Sequence, residues 1–335
     1  MTHELKLGWK ASAEQFGPRR LLDFAVLAEN LGFDSAWVSD HYQPWRHTDG
    51  HAPFSIAWLA ATGERTSRLT LGTSVLTPTF RYHPAIVAQA FGTLGVMYPE
   101  RIRLGIGTGE ALNEAPVIGI EWPDSRERFR RLSEATKLIR RLWTEDCVEF
   151  EGEYYRVRGV TVYDRPEQPV PIYVAATGEV AAKFAGRQAE GFICTSGKGI
   201  ELYRDVLVPA VRAGAEASGR DFDAIEKMIE VKVSFDTDRE RALADTRIWA
   251  ALALSAEDKV GVHSPRDMEE RAKKVTDPER RWLVSSDPAE HVEQITPYLD
   301  LGFTHLVFHH PGEDQARFLR LYSELILPRL RERWG

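Results

Sequence analysis

Arg101-Ile-Arg-Leu-Gly-Ile-Gly-Thr-Gly-Glu-Ala-Leu-Asn-Glu114 reads as a strand running into a glycine-rich turn, and the choice of fold depends on what that turn is for. Two phosphate-cradling readings fail on spacing. The dinucleotide fingerprint G-x-G-x-x-G would need glycine at position 110, which is glutamate. The P-loop needs four residues between its glycines and then Lys-Ser/Thr, and the run has neither. What remains is a strand end that delivers Thr108, Glu110 and Asn113 to one place.

The same alternation of an apolar, β-branched run with a helical pattern extends in both directions. Leu5–Ala11 precedes Pro18–Gly32, whose apolar residues recur at helical spacing and stop at a glycine. Asp34–Asp40 is followed by Phe54–Thr66, Leu69–Val75 by Pro84–Tyr98, and Arg101–Gly107 by the charged amphipathic stretch Ser125–Trp143. Further on, Pro171–Gly178 precedes Glu179–Ala189, Gly191–Ser196 precedes a helix around Glu201–Ala217, and Lys227–Phe235 precedes a helical region beginning at Asp238. The last unit is His305–His310 with Asp314–Trp334. Eight strand–helix units in one chain argue for an α/β fold of the (β/α)8 TIM-barrel type. Residues 145–168 break the rhythm with short alternating strands and form an insertion after strand 4. Residues 255–291, polar and helix-rich, form a second insertion before strand 8. No tandem repeat or linker divides the chain, so residues 1–335 are read as one domain.

With 335 residues, 43% hydrophobic and 28% charged, the chain has the composition of a globular protein with a sizeable core. A formal net charge of -7 offers no general attraction to nucleic acid, and no basic block is present. The start MTHELKLGWK lacks the features of a signal peptide, and no run of apolar residues is long enough for a membrane span, so a cytoplasmic location is expected. Cys147 and Cys194 have no C-x-x-C spacing and are read as reduced buried thiols, with no metal site expected.

In a barrel of this kind the active site lies at the carboxyl ends of the strands. Strand 2 ends in Asp40-His41-Tyr42-Gln43-Pro44-Trp45, strand 3 runs through Ser74-Val75-Leu76-Thr77, and strand 4 delivers Thr108, Gly109, Glu110 and Asn113. Strand 5 ends in Thr177-Gly178, strand 6 in Thr195-Ser-Gly-Lys198, and strand 8 in His309-His310. Asp40 could cap a turn, and a lone histidine is more often packed than catalytic. On one rim, however, His41 and Glu110 can serve as two proton-transfer groups. Lys198 among glycines is either a solvated loop lysine or part of an anion site. Taken alone, Lys259 and Arg281 read as solvated insertion residues, and Trp45 as packing.

Four runs, Ser39–His47, Gly72–Tyr82, Gly107–Glu114 and Gly191–Gly199, together resemble the F420-dependent glucose-6-phosphate dehydrogenases of the bacterial luciferase-like superfamily. The resemblance covers essentially the whole chain. It implies a (β/α)8 barrel, commonly a homodimer, that moves a hydride from C1 of a sugar 6-phosphate to C5 of the deazaflavin coenzyme F420. It further implies that His41 acts as general base, that Glu110 acts as the acid toward the deazaflavin, and that Trp45 shapes the space over the reacting centre. By the same resemblance Asp40, Ser74, Val75, Thr77, Thr108, Gly109, Asn113, Thr177 and Gly178 contact the cofactor, and the Ser74–Val75 peptide is cis. Thr195, Lys198, Lys259 and Arg281 would hold the sugar phosphate. Glu179, after Thr177-Gly178, departs from the paired glycines usual there, and the match around Lys259 is looser. Another hexose 6-phosphate is thus an alternative substrate, and an FMN-dependent monooxygenase on the same barrel is an alternative enzyme.

Overall fold

The structure is a computed structural model that describes residues 4–255 and 257–335. The branched and aromatic runs become strands β1 (Lys6–Ala11), β2 (Ser35–Val38), β3 (Thr70–Thr73), β4 (Ile102–Ile106), β5 (Ile172–Ala175), β6 (Gly191–Thr195), β7 (Glu226–Phe235) and β8 (His305–His309). All pair in parallel with their neighbours, and β8 returns to β1, so the sheet closes into an eight-stranded barrel. Register is pinned by pairs such as Trp9 with Phe308 and Gly8 with Ser35. Closure leaves the barrel sheet with no open edge to protect.

A helix follows each strand and buries one stripe against the barrel. Ser125–Thr144 shows why such sequences become helices. Asp124 accepts a hydrogen bond from the backbone N–H of Glu127 at the N-terminus, and Leu132, Leu138, Ile139 and Leu142 line the buried face. Pro18, Pro84 and Pro288 each open a helix at its first turn, where the missing N–H has no partner to lose.

The structure departs from the sequence reading in several details. The region from Asp238 is not one helix: Arg239–Asp245 gives way to a 3-10 segment, Thr246–Ala253, with a kink at Trp249. The C-terminal helix likewise breaks at Ile326, just before Pro328, into Gln315–Leu325 and Leu327–Trp334. The hairpin Val148–Glu151 with Arg156–Val160 lies in the stretch after β4. The stretch before β8 contains helix Pro265–Ala272 and a short strand, Leu283–Ser285, paired in parallel with the end of β7. Its final residues already belong to the barrel helix Pro288–Asp300, whose His291 is a core residue within 2.7 Å of the Tyr322 hydroxyl. Cys194 is buried as expected, but Cys147 is exposed, because it occupies a turn with φ 49° leading into the hairpin.

The barrel interior is layered. Near the amino ends, the Trp37 indole donates to Ser35 Oγ, which lies 2.7 Å from His305 Nε2, and His305 Nδ1 lies 2.5 Å from Glu226. Burial opposes the charge on Glu226, yet the bond from His305 and the nearby Lys6 ammonium hold its carboxyl well below the usual range. Above this chain sits an apolar layer of Trp37, Tyr173, Ile193, Met228 and Val307. Barrels of this type usually continue with branched apolar side chains. Here the next layer toward the carboxyl ends is ionic. Lys10 donates to the Ser74 carbonyl and hydroxyl at 2.6 Å, lies 3.2 Å from Glu230, and Glu230 lies 3.3 Å from His309 Nδ1. These side chains come from β1, β7, β8 and the end of β3, so they meet across the interior and floor the mouth.

Candidate active site

The strand-4 turn works as the sequence implied, but as a helix start. Glu110 is the N-cap of helix Ala111–Ile118, and Asn113 lies in its first turn. Asn113 Nδ2 donates to Glu110 Oε2 at 2.9 Å, and its Oδ1 accepts the backbone N–H groups of Tyr42 and Gln43 at 2.8 Å. One buried amide thus ties the loop after β2 to the turn after β4. Trp45 Nε1 completes the link by donating to Glu110 Oε2 at 3.0 Å. Among the described residues Oε1 of Glu110 accepts no hydrogen bond and faces the mouth free.

His41 is held by a residue that strand-end reasoning passed over. Its Nδ1 lies 2.6 Å from Glu14 Oε1, an ion pair outside ideal hydrogen-bond alignment, while Glu14 Oε2 accepts the backbone N–H of Trp45. Burial works against a charged imidazole here, but the Glu14 carboxylate, helped by the field of Glu110, raises the His41 pKa to about 9. His41 keeps 23% of its side-chain surface open to solvent, enough to meet a ligand from the mouth. Glu14 itself, although buried, is kept below its ordinary range by His41.

Asp40 turns out to be an anchor. Its Oδ1 accepts from Ser55 and Tyr82 at 2.6 and 3.1 Å, and its Oδ2 from Arg81 at 2.8 Å. The Arg81 guanidinium also reaches Glu114 Oε1 at 3.1 Å, so one buried cation joins the segment carrying His41 to the helix carrying Asn113. Removing either partner of such a pair leaves a buried charge uncompensated, which typically destabilises by about 3–5 kcal/mol.

The opposite rim is cationic. Lys259 stands 4.2 Å over the Trp45 ring, an approach the ring face favours, and its pKa is lowered by burial and by Arg281 against the pull of Glu110. Gly197, at φ 82°, packs so tightly on the Arg281 carbonyl that a Cβ there would come within 2.8 Å of it. This close approach sets the exposed Lys198 beside Arg281, with Thr195 at the end of β6 fixed through its carbonyl by the Tyr203 hydroxyl. Buried Lys232, pushed down to about 8 by burial against the attraction of Glu230, lies beneath the cations and feels Arg281. The structure therefore brings Lys198, Lys259 and Arg281 into one mouth with His41, Trp45 and Glu110.

The β3–β5 side offers a surface of backbone. Ser74–Val75 is a cis peptide. A Cβ on Gly107 would press on Val75 Cγ2 at 2.8 Å, and Gly109, at φ 84°, packs on Thr77 and Trp122. Thr108 is partly exposed next to them. Further round, Gly178 has open space where a side chain would be, and the first turn of helix Glu179–Gln188 carries no side-chain cap. Its free N–H groups can receive an anion, with the exposed Thr177 alongside. Glu179 turns away to Lys183 Nζ at 2.6 Å. A cavity of about 250 Å³ opens between Trp45, Glu14 and the kinked segment at Trp249.

Signals for the missed residues exist in part. Glu230 and Lys232 alternate with Val231 and Val233 in a strand buried from end to end, so period two already turns their charges to the interior. Glu14 and Arg81 carry no such mark.

Residues 5–305 match the luciferase-like monooxygenase family. A protein of Intrasporangium calvum named F420-dependent glucose-6-phosphate dehydrogenase is 62% identical over 98% of this chain and 99% of its own. One of the same name from Mycolicibacterium smegmatis is 59% identical over 98% and 99%. Among solved structures, an F420-dependent secondary alcohol dehydrogenase in complex with an F420-acetone adduct superposes with a TM-score of 0.91 at 31% identity, over 97% of this chain and 98% of its own. The F420-dependent tetrahydromethanopterin reductase of Methanopyrus kandleri, at 22% identity and a TM-score of 0.80 over 98% and 99%, shares the fold.

Proposed function

This chain belongs to the luciferase-like monooxygenase family, close to its relatives named F420-dependent glucose-6-phosphate dehydrogenase, and we propose that it oxidises glucose 6-phosphate at C1 with F420 as the acceptor. The observation that carries this reading is the mouth itself. A proton-handling half, His41 with Glu14 and Glu110 with Trp45, faces a cationic half of Lys198, Lys259 and Arg281. An apolar monooxygenase substrate has no use for three cations. A phosphorylated sugar uses both halves.

The residues fit the cofactor. The backbone surface of Gly107, Gly109 and the Ser74–Val75 peptide suits a planar ring, with Thr77, Thr108 and Asn113 along it, and the uncapped helix start at Gly178 suits an anionic tail. When bound, F420 supplies the hydride acceptor at C5 of its deazaflavin. His41 takes the proton of the C1 hydroxyl at its imidazole, and Glu110, once protonated at the free Oε1, delivers that proton. Trp45, fixed by Glu110 and covered by Lys259, closes the mouth against water. Asp40 contributes by holding Arg81, and through it the geometry of both proton-transfer segments.

The test is anaerobic loss of F420 absorbance with glucose 6-phosphate, with free glucose and FMN as controls. Bleaching that requires the phosphate supports the proposal. Oxidation of reduced FMN in air without F420 bleaching contradicts it. Lys198→Ala should raise KM for the sugar phosphate roughly tenfold and lower kcat far less, as one charge-assisted contact to the phosphate is lost. Equal losses in both constants would contradict a binding role.

The same reading includes a cytoplasmic homodimer. Ile86, 55% exposed, and Tyr163, 89% exposed, line one groove between helix Pro84–Met97 and the segment after the hairpin, and Met97 is exposed on the same helix. Apolar side chains so placed support a face covered by a second copy. Ile86→Glu should then halve the mass measured by sedimentation equilibrium, and an unchanged mass would place the interface elsewhere.

A further inference from the structure

Helix Pro265–Ala272 of the second insertion grips both halves of the mouth from the outside. Near its end Arg271 Nη1 donates to the backbone carbonyls of Asp258 and Val260, the latter at 2.8 Å. Those two residues flank Lys259. Two positions earlier, Glu269 Oε2 accepts the backbone N–H groups of His47 and Thr48 at 3.0 and 2.9 Å. These bonds, that of Thr48 first, hold the Glu269 carboxyl below its ordinary range, so it is an anion at neutral pH. Met268, beside it, is buried against Leu112 and Ala251, and Trp45 packs on the same cluster.

The helix itself is folded by other contacts. Ser264 Oγ caps its start by accepting the N–H of Asp267, Pro265 opens its first turn, and Met268 supplies its buried anchor. Glu269 and Arg271 instead reach out of the helix to two loops that carry site residues. His47 and Thr48 follow Trp45 by two and three residues. Trp45 is fixed on its inner side by Glu14 and Glu110, and Glu14 in turn faces His41 at 2.6 Å. The chain of contacts therefore runs unbroken from the Lys259 loop to His41. Lys259 also touches the Trp45 ring directly, but its ammonium is the group that a phosphate draws toward itself. The helix is the link that persists when it does.

We propose that Glu269 and Arg271 make this helix a coupling element, through which a phosphate held at Lys259 sets the position of Trp45 and His41 for oxidation at C1. The inference rests on the sugar-phosphate reading of the mouth and deepens it. Both are positioning residues, since neither touches the sugar. The phosphate is then more than an anchor. Part of its binding energy goes into ordering the groups around C1, at the far end of the sugar from the phosphate itself. A rigid helix with a charged grip on each loop is suited to carry that coupling.

The test cuts the substrate in two. Free glucose with added phosphite, which mimics the phosphate without the sugar, is assayed by anaerobic F420 reduction beside intact glucose 6-phosphate. In the wild-type chain phosphite should raise glucose turnover about tenfold or more over the slow rate with glucose alone. Glu269→Ala and Arg271→Ala should each remove most of that activation and leave the rate with glucose alone unchanged. With glucose 6-phosphate each should lower kcat about tenfold and change KM by less than about twofold. Glu269→Gln, whose amide oxygen still accepts both N–H groups, should come within about threefold of wild type. The double variant should lose no more than either single one, because both break the same link. Equal losses with glucose alone and with glucose 6-phosphate would make the helix a merely structural brace and overturn the coupling. Additive losses, or a wild-type chain that phosphite does not accelerate, would overturn it too. In all these cases glucose 6-phosphate still reduces F420 and the dehydrogenase reading stands, whereas no F420 reduction by the wild-type chain with glucose 6-phosphate would overturn both. If Glu269→Ala does not fold, Arg271→Ala decides the matter.

Discussion

Replacing Glu110 by Gln is expected to lower kcat for F420 reduction by about 10²- to 10⁴-fold, with F420 affinity nearly unchanged. The substitution keeps the length and planarity of the side chain, so its amide can still sit between Trp45 Nε1 and Asn113 Nδ2. The Asn113 contacts to Tyr42 and Gln43, which align the two loops, do not involve residue 110 and remain. What disappears is the proton that Oε1 delivers in the proposed mechanism. Stopped-flow turnover together with fluorescence titration of F420 separates the outcomes. A loss of F420 affinity matching the loss of kcat would make Glu110 a cofactor ligand and not the acid. A variant that turns over normally would end its proton-transfer role.

The second large effect concerns pH. With its pKa raised to about 9 by Glu14, His41 is mostly an imidazolium at neutral pH, and as a base it must first release that proton. The rate should therefore climb about tenfold per pH unit from pH 7 until it levels near 9, roughly a hundredfold overall. The sign follows from the pair: Glu14 stabilises the protonated ring, so Glu14→Gln should move the rising limb toward the ordinary histidine range. Lys232 titrates in the same window, having been pushed down to about 8, and loses charge as pH rises. In the proposed site this removes positive charge from beneath Lys198, Lys259 and Arg281, which weakens the attraction for a phosphate and so runs opposite to the limb. Measuring kcat at saturating sugar phosphate removes it. A profile flat from pH 7 to 9, or a limb that Glu14→Gln leaves in place, would mean that His41 acts as a fixed positive charge and the base lies elsewhere.

Much of the site was legible because it obeys local rules. A βα unit exposes its strand end, and His41, Trp45, Glu110 and Lys198 all lie within a few residues of such an end. The residues that escaped have partners far along the chain. Arg81 finds Asp40 41 residues away and Glu114 33 residues away. Read in sequence, it is one arginine in a turn between Phe80 and Tyr82. Glu14 is one glutamate in a polar loop until β1 and β2 pair and bring it 2.6 Å from His41. The resemblance implies a cofactor contact for Asp40; what it did not carry is the set of partners folding gives its carboxylate, Ser55, Tyr82 and Arg81, which lie 15, 42 and 41 residues along the chain.

Periodicity and strand-end position, which are properties of neighbours along the chain, determined the barrel and marked His41, Glu110 and Lys198 on one rim as candidates, while Trp45, Lys259 and Arg281 entered only through the family resemblance. Only the closed barrel decided their states. Across its interior Lys10, Ser74, Glu230 and His309, from four different strands or strand ends, come within 3.4 Å of one another in sequence-distant pairs. At such distances in a buried setting, each group's charge and tautomer are set by the others, and no local pattern carries that information.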